Sequence, residues 1–401
     1  MISRYRQVLG LPGALAFSAS GLVARLPISM VSLGIVLLVS AHTGSYGLAG
    51  RVSASYIIAN AVFAVPQSRL VDRHGQSRVL PWTVLLFAVG MTVMMASVEN
   101  GWPNPVAMGS AAVAGAALPQ IGSCVRARWS QLVAEKRQLQ TAFAFEAAVD
   151  EAVFMIGPTM VTLLATKVHP LAGLAAAIAA AVAGTLALTV QRRTEPRPSR
   201  RRSGGRRGEP MGWPVLGPLV AAAFAMGVLF GATEVATVAF SGELGSKALS
   251  GPLLAIWALG SLLSGLVTGA LHIRASNRTR FRWSLLALAL AMLPLPFVHG
   301  FVLMAVFLFL AGFAISPTLI ASVAWIEETV PAGRLTEGIS VFTTGLAAGV
   351  APGAAVVGVV IDAHGASIGY WVPAAAGLVG AAIAFGTALV LRVTGREPSP
   401  T

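Results

Sequence analysis

Five charged side chains stand well inside long apolar runs of this 401-residue chain. Arg25 lies in the run 11–40, Glu146, Asp150 and Glu151 in 140–166, and Glu234 in 215–240. A charge held at the centre of a bilayer costs about 3 kcal/mol or more, so such residues are kept for pairing or for function. Glu146 and Asp150 are four apart and share a helix face. A carboxylate there can bind and release a proton, whereas arginine stays charged throughout. Arg25 falls near the middle of its run, as Asp150 and Glu151 do in theirs, so the three stand at a similar depth. Three acids against one arginine leave a carboxylate over for proton exchange. Glu146, nearer the cytoplasm in the topology below, is the first candidate carrier. Glu234 is the one acid of the second half that lies within a span away from its ends. Arg51 and Asp362 both lie at outer depth.

Apolar helices must position these groups. The chain is 56% hydrophobic and 11% charged, where a soluble domain carries roughly 25% charged residues. A spanning helix needs about 20 apolar residues. Stretches of that kind run over 11–40, 47–66, 79–97, 104–125, 140–166, 170–190, 215–240, 251–272, 283–298, 301–325, 336–362 and 368–391. The first follows a basic start but is too long for the core of a signal peptide, so it reads as an uncleaved span. Several spans contain proline, which membrane helices tolerate because neighbours re-satisfy the freed carbonyls.

Loop charge orients the spans. With the N-terminus in the cytoplasm, only Arg25, Arg51, Lys167 and Lys247 of the 28 basic residues fall outside inward-facing segments. Both termini are then cytoplasmic, in a multi-pass protein of a bacterial cytoplasmic membrane. The net charge of +13 is spread over these short breaks and does not form a nucleic-acid surface. A basic, polar linker at 191–214 separates spans 1–6 (residues 1–190) from spans 7–12 (residues 215–401). Its arginines can meet anionic lipid headgroups, with retention on the inner side the simpler reading. The halves correspond at an offset of about 200 residues, with Leu139 over Leu335 and Gly157 over Gly353. The expected fold is all-α and polytopic, with two six-helix bundles related by pseudo-two-fold symmetry. Substrate is held between repeats of this kind near the midplane.

After span 2 the chain reads Ser68-Arg69-Leu70-Val71-Asp72-Arg73-His74-Gly75-Gln76-Ser77-Arg78. This resembles the signature loop of the major facilitator superfamily, through Leu70, Asp72, Arg73 and Gly75 with Arg78 as a nearby cation. It differs at Ser68 and Gln76. The resemblance implies a transporter working by alternating access, with Asp72 latching the cytoplasmic side against the start of helix 11 near Glu337. It also implies that helices 1 and 5 are neighbours, so Arg25 is expected to pair with Asp150 or Glu151. It implies that helix 7 lines the central cavity, where Glu234 suits a proton or a cationic substrate, and that helix 2 faces helix 11, which makes Arg51 and Asp362 a candidate outer gate pair. Gly157-Pro158 in span 5 is similar to a shortened helix-5 motif of drug–proton antiporters and implies efflux. The arginine those antiporters carry within helix 4 has no counterpart, because Arg126 and Arg128 are expected at the cytoplasmic end of span 4.

The reading is a proton-coupled secondary transporter of a small molecule, an efflux antiporter first and an importer of a sugar or organic anion second. A membrane receptor or enzyme comes last. No phosphate loop, nucleophile constellation or metal-ligand spacing is present in the sequence. No enzyme activity, cofactor or metal is therefore expected, and the protein is expected to act as a monomer. Gly345, Gly349 and Gly353 repeat every four residues in span 11, a spacing that lets helix backbones meet.

Overall fold

The computed structural model describes residues 2–196, 213–270, 275–330 and 335–393, and every regular element among them is helical. The chain divides into two compact units, Met1–Arg202 and Ser203–Thr401. The first holds α1 (Ile2–Leu9), α2 (Ala14–Thr43), α3 (Tyr46–His74), α4 (Gln76–Glu99), α5 (Asn104–Ala117), α6 (Ile121–Leu132), α7 (Lys136–Lys167) and α8 (Ala172–Val190), then a 3-10 turn at Arg192–Thr194. The second holds α9 (Trp213–Glu243), α10 (Ser250–Ala270), α11 (Asn277–Met292), α12 (Phe301–Phe313), α13 (Ile315–Thr329), α14 (Leu335–His364), α15 (Ala366–Gly369) and α16 (Trp371–Val393). Among the described residues, twelve stretches are long and apolar enough to cross a membrane. The linker arginines from Arg197 to Arg207, the second-half loop at 271–274, Arg334 and the Glu337 side chain lie outside the described residues.

Two expectations change in detail. The signature segment is not a loop up to Arg73, because α3 continues to His74 and α4 begins at Gln76. The whole connection is Gly75, at φ +93°, a value that strains any side chain. Its N–H still bonds the Val71 carbonyl at 2.8 Å. Leu70, Asp72 and Arg73 thus sit in the last turns of α3, and Arg78 in the first turn of α4.

Span 4 is the second correction. It does not end at 125 but runs from Asn104 to Leu132, interrupted between α5 and α6. Pro119 carries no N–H and cannot continue the ladder. The broken turn is re-satisfied from α3: Asn60 Nδ2 donates to the Gly115 carbonyl at 3.2 Å, and Gln67 Oε1 accepts from the Gln120 N–H at 3.0 Å.

In the second unit the glycine spacing of span 11 becomes a seam between α14 and α9. A Cβ on Gly349 would collide with the Phe224 carbonyl, and one on Gly353 with the Val228 carbonyl. From the other side, a Cβ on Gly227 would strike Leu346 and one on Gly231 would strike Val350, again at the backbone. Neither helix can yield, since the obstacle is main chain. Gly349→Val should therefore lower stability by about 1–3 kcal/mol. Gly217→Ala, on α9 with open space around it, should not destabilise and should gain up to about 1 kcal/mol of helix propensity. Unfolding of both variants in detergent checks this; equal melting would refute the seam.

Candidate functional site

In the first unit, α2, α6 and α7 bring charge together. Arg25 on α2 is 1% exposed. Its Nε donates to the Gly21 carbonyl one turn earlier at 3.0 Å, which aims the guanidinium away from its own helix. Its Nη1 donates to Asp150 Oδ1 at 2.7 Å, and its Nη2 to Glu146 Oε2. The two acids, one turn apart on α7, thus share one arginine. Glu146 Oε1 accepts two further bonds, from Ser18 Oγ at 2.9 Å and from Trp129 Nε1 at 2.8 Å.

The expected partners of Arg25 were Asp150 or Glu151. Asp150 is one, and Glu146 is the second. Glu151, one residue further round α7, is half-buried and makes no ion pair or hydrogen bond with a described residue. The expectation of a single arginine fails: Arg126 Nη2 donates to Asp150 Oδ2 at 2.7 Å. The cause is the longer span 4. Ile121, Cys124, Val125, Arg128 and Trp129 form the buried stripe of α6, at the i, i+3, i+4, i+7, i+8 spacing of a helix face packed on a core. That stripe was legible in the sequence, and following it past Val125 would have placed Arg126 within the helix.

Exposure separates the two acids. Glu146 is fully buried, and three donors hold it. Trp129 is buried too, edge-on to Phe17 at 4.8 Å. Asp150 is about a third exposed and Arg126 40% exposed, so this outer pair is the part of the cluster open to exchange. Gly157 lets α2 approach α7 above the cluster, since its Cβ would collide with Ser29 Oγ, and that hydroxyl donates to the Val153 carbonyl at 2.8 Å. Gly157-Pro158 therefore sits at the contact that sets the spacing of Arg25 and Asp150.

Arg128 was expected only as an inside loop charge. It is fully buried and bonds four oxygens: Gln76 Oε1 at 2.8 Å, the Gln191 carbonyl at 2.8 Å, Thr194 Oγ1 at 2.8 Å and the Leu188 carbonyl at 3.0 Å. Nearby, Glu195 accepts from the Ser77 N–H at 2.9 Å and caps α4. These bonds tie the end of α8 to α6 and to the α3–α4 junction.

The other candidates stand apart. Leu70, Asp72, Arg73 and Arg78 are exposed. Glu234 is half-buried on α9 of the second unit. Arg51 and Asp362 are both exposed, near the Tyr46 end of α3 and the His364 end of α14, and belong to different units.

Removing one member of a buried ion pair strands the other charge. Arg25→Met should cost about 3–5 kcal/mol, and adding Glu146→Gln should recover most of it by removing the stranded carboxylate. An unfolding titration in mixed micelles checks this; a double variant no more stable than the single would mean that Glu146 does not depend on Arg25.

Several solved structures share the fold. The POT family transporter PepTSo aligns at TM-score 0.71 and 11% identity, covering 95% of this chain and 98% of that one. The nucleoside transporter NupG aligns at 0.69 and 14%, covering 94% and 98%. A bacterial homologue of the iron transporter ferroportin, outward-facing with soaked iron, aligns at 0.59 and 15%, covering 94% and 99%. At these identities the likeness speaks for the fold alone. No curated protein matches the sequence significantly. The profile of the Major Facilitator Superfamily matches residues 17–301 and 219–401. With twelve apolar helices in two compact units, this chain belongs to that superfamily of membrane transporters.

Proposed function

We propose that this transporter couples movement of a small molecule to protons, with Asp150 as the carboxylate that gains and loses the proton. The carrying observation is the division of labour around Arg25. Glu146 is fully buried, and Ser18, Arg25 and Trp129 occupy its two oxygens. That moves the proton-carrying role from Glu146 to Asp150, whose partner Arg126 is partly exposed. Protonation of Asp150 frees Arg126; deprotonation re-forms the pair. The two states differ in charge and in the tie between α6 and α7, which is what a coupling device requires.

Efflux by antiport is the direction we favour. Glu151 supplies a second carboxylate beside Asp150 where a cationic substrate and a proton compete, and Gly157-Pro158 lies in the same helix. Uptake of an organic anion is the second reading, favoured by Arg126 itself: a guanidinium released by protonation binds a carboxylate or phosphate well. In this reading the N-terminus lies in the cytoplasm of a bacterial cell and Asp72 latches the inner side.

Proteoliposomes with a lumenal pH dye separate the readings. A panel of organic cations and organic anions is added outside at equal pH. Antiport alkalinises the lumen with a cation; symport acidifies it with an anion. Asp150→Asn should lower the proton-linked signal by about tenfold, within the 5–150-fold range of a coupling energy. Proton-linked flux unchanged in Asp150→Asn would sink the assignment. Asp72→Asn should insert and melt normally yet lose most transport, read as initial rate per inserted protein; wild-type rates would remove the latch.

A further inference from the structure

A lateral groove of about 660 Å³ opens between α3 and α4, floored by α5. It lies wholly in the first unit and is separate from the Arg25 cluster. Phe63 and Leu70 of α3 form one wall, and Trp82 and Leu86 of α4 the other. Trp82 is 72% exposed. The volume lies within the roughly 300–1,000 Å³ range of small-ligand sites.

The groove has a polar end and an apolar end. His74 and Arg78 line it where the two helices meet at Gly75. Phe63 lies eleven residues back along α3 from His74, about 16 Å at helical rise, and Leu86 eight residues along α4 from Arg78, about 12 Å. Half the hydrocarbon core of a bilayer is about 15 Å. The groove thus reaches from the membrane surface to the midplane, the length of one acyl chain. No acid lines it. Arg69 and Arg73 add exposed positive charge on the final turns of α3. Of the nearby acids, Glu195 is engaged by Ser77 and Asp72 is outside the lining.

We infer that this groove is a binding site for an anionic glycerophospholipid, with its phosphate at Arg78 and His74 and one acyl chain lying along Phe63, Leu70, Trp82 and Leu86. Charge complementarity selects the headgroup, and the apolar walls select the chain. A small soluble anion would satisfy only the rim and leave the walls to bulk lipid.

Trp82 reports the occupant. The full chain is reconstituted into bilayers of phosphatidylcholine doped with brominated phosphatidylglycerol or with brominated phosphatidylcholine, and the Trp82 contribution is isolated by difference from Trp82→Phe. Enrichment of the anionic lipid at the groove should be about fivefold for one effective cation, seen as stronger quenching by the brominated phosphatidylglycerol. Arg78→Gln with His74→Gln should abolish that preference while leaving quenching by brominated phosphatidylcholine. Equal quenching by both lipids in the wild type would overturn the proposal, as would a preference that survives the double substitution. Inorganic phosphate added at millimolar concentration should not reverse the preference; reversal would reassign the rim to free phosphate and overturn the lipid site.

Discussion

A guanidinium inside an apolar helix bundle cannot stand alone, and the first unit is organised around that constraint. Arg25 loses its water on α2 and must recover its hydrogen bonds from protein. It does so from α7, through Glu146 and Asp150, and from its own helix at Gly21. Glu146 then needs donors of its own, and these come from Ser18 on α2 and Trp129 on α6. Three helices are thereby held in one register by charge satisfaction. Apolar packing is non-directional and would not by itself select that register.

The second unit builds its corresponding seam on glycine. By the offset that places Gly157 over Gly353, the seam of α14 with α9 answers to that of α7 with α2. There the contact is backbone on backbone, with glycines on both helices. Such close approach gives dispersion contacts and no titratable group. The α2–α7 seam instead includes a partly exposed carboxylate shared by two arginines.

The Pro119 break is what delivers α6 to the cluster. A straight helix from Asn104 would not need Asn60 and Gln67 to satisfy its broken turn. With the break, α6 buries Cys124, Arg128 and Trp129 and leaves Arg126 at the edge facing Asp150. Arg128 then fastens the far end of α6 to the α3–α4 junction and to the turn after α8. The signature segment and the charge cluster are therefore linked through one short helix.

Twelve spans and the superfamily were legible from hydropathy, loop charge and the Leu70–Asp72–Arg73–Gly75 pattern. Those signals are local or additive along the chain. The similar depth of Arg25 and Asp150 was also legible, because depth along a spanning helix can be counted in residues; that their helices are neighbours came from the superfamily resemblance. Three things were not. Glu146 as a second partner, Arg126 as a second cation and the burial of Arg128 each depend on how far α6 continues and which way it turns after Pro119. A sequence records that proline interrupts a ladder; the direction taken afterwards is decided by what surrounding helices offer as donors, acceptors and apolar surface. Residue type and depth are properties of the chain, but the pairing of one carboxylate with two arginines is a property of three helices at once.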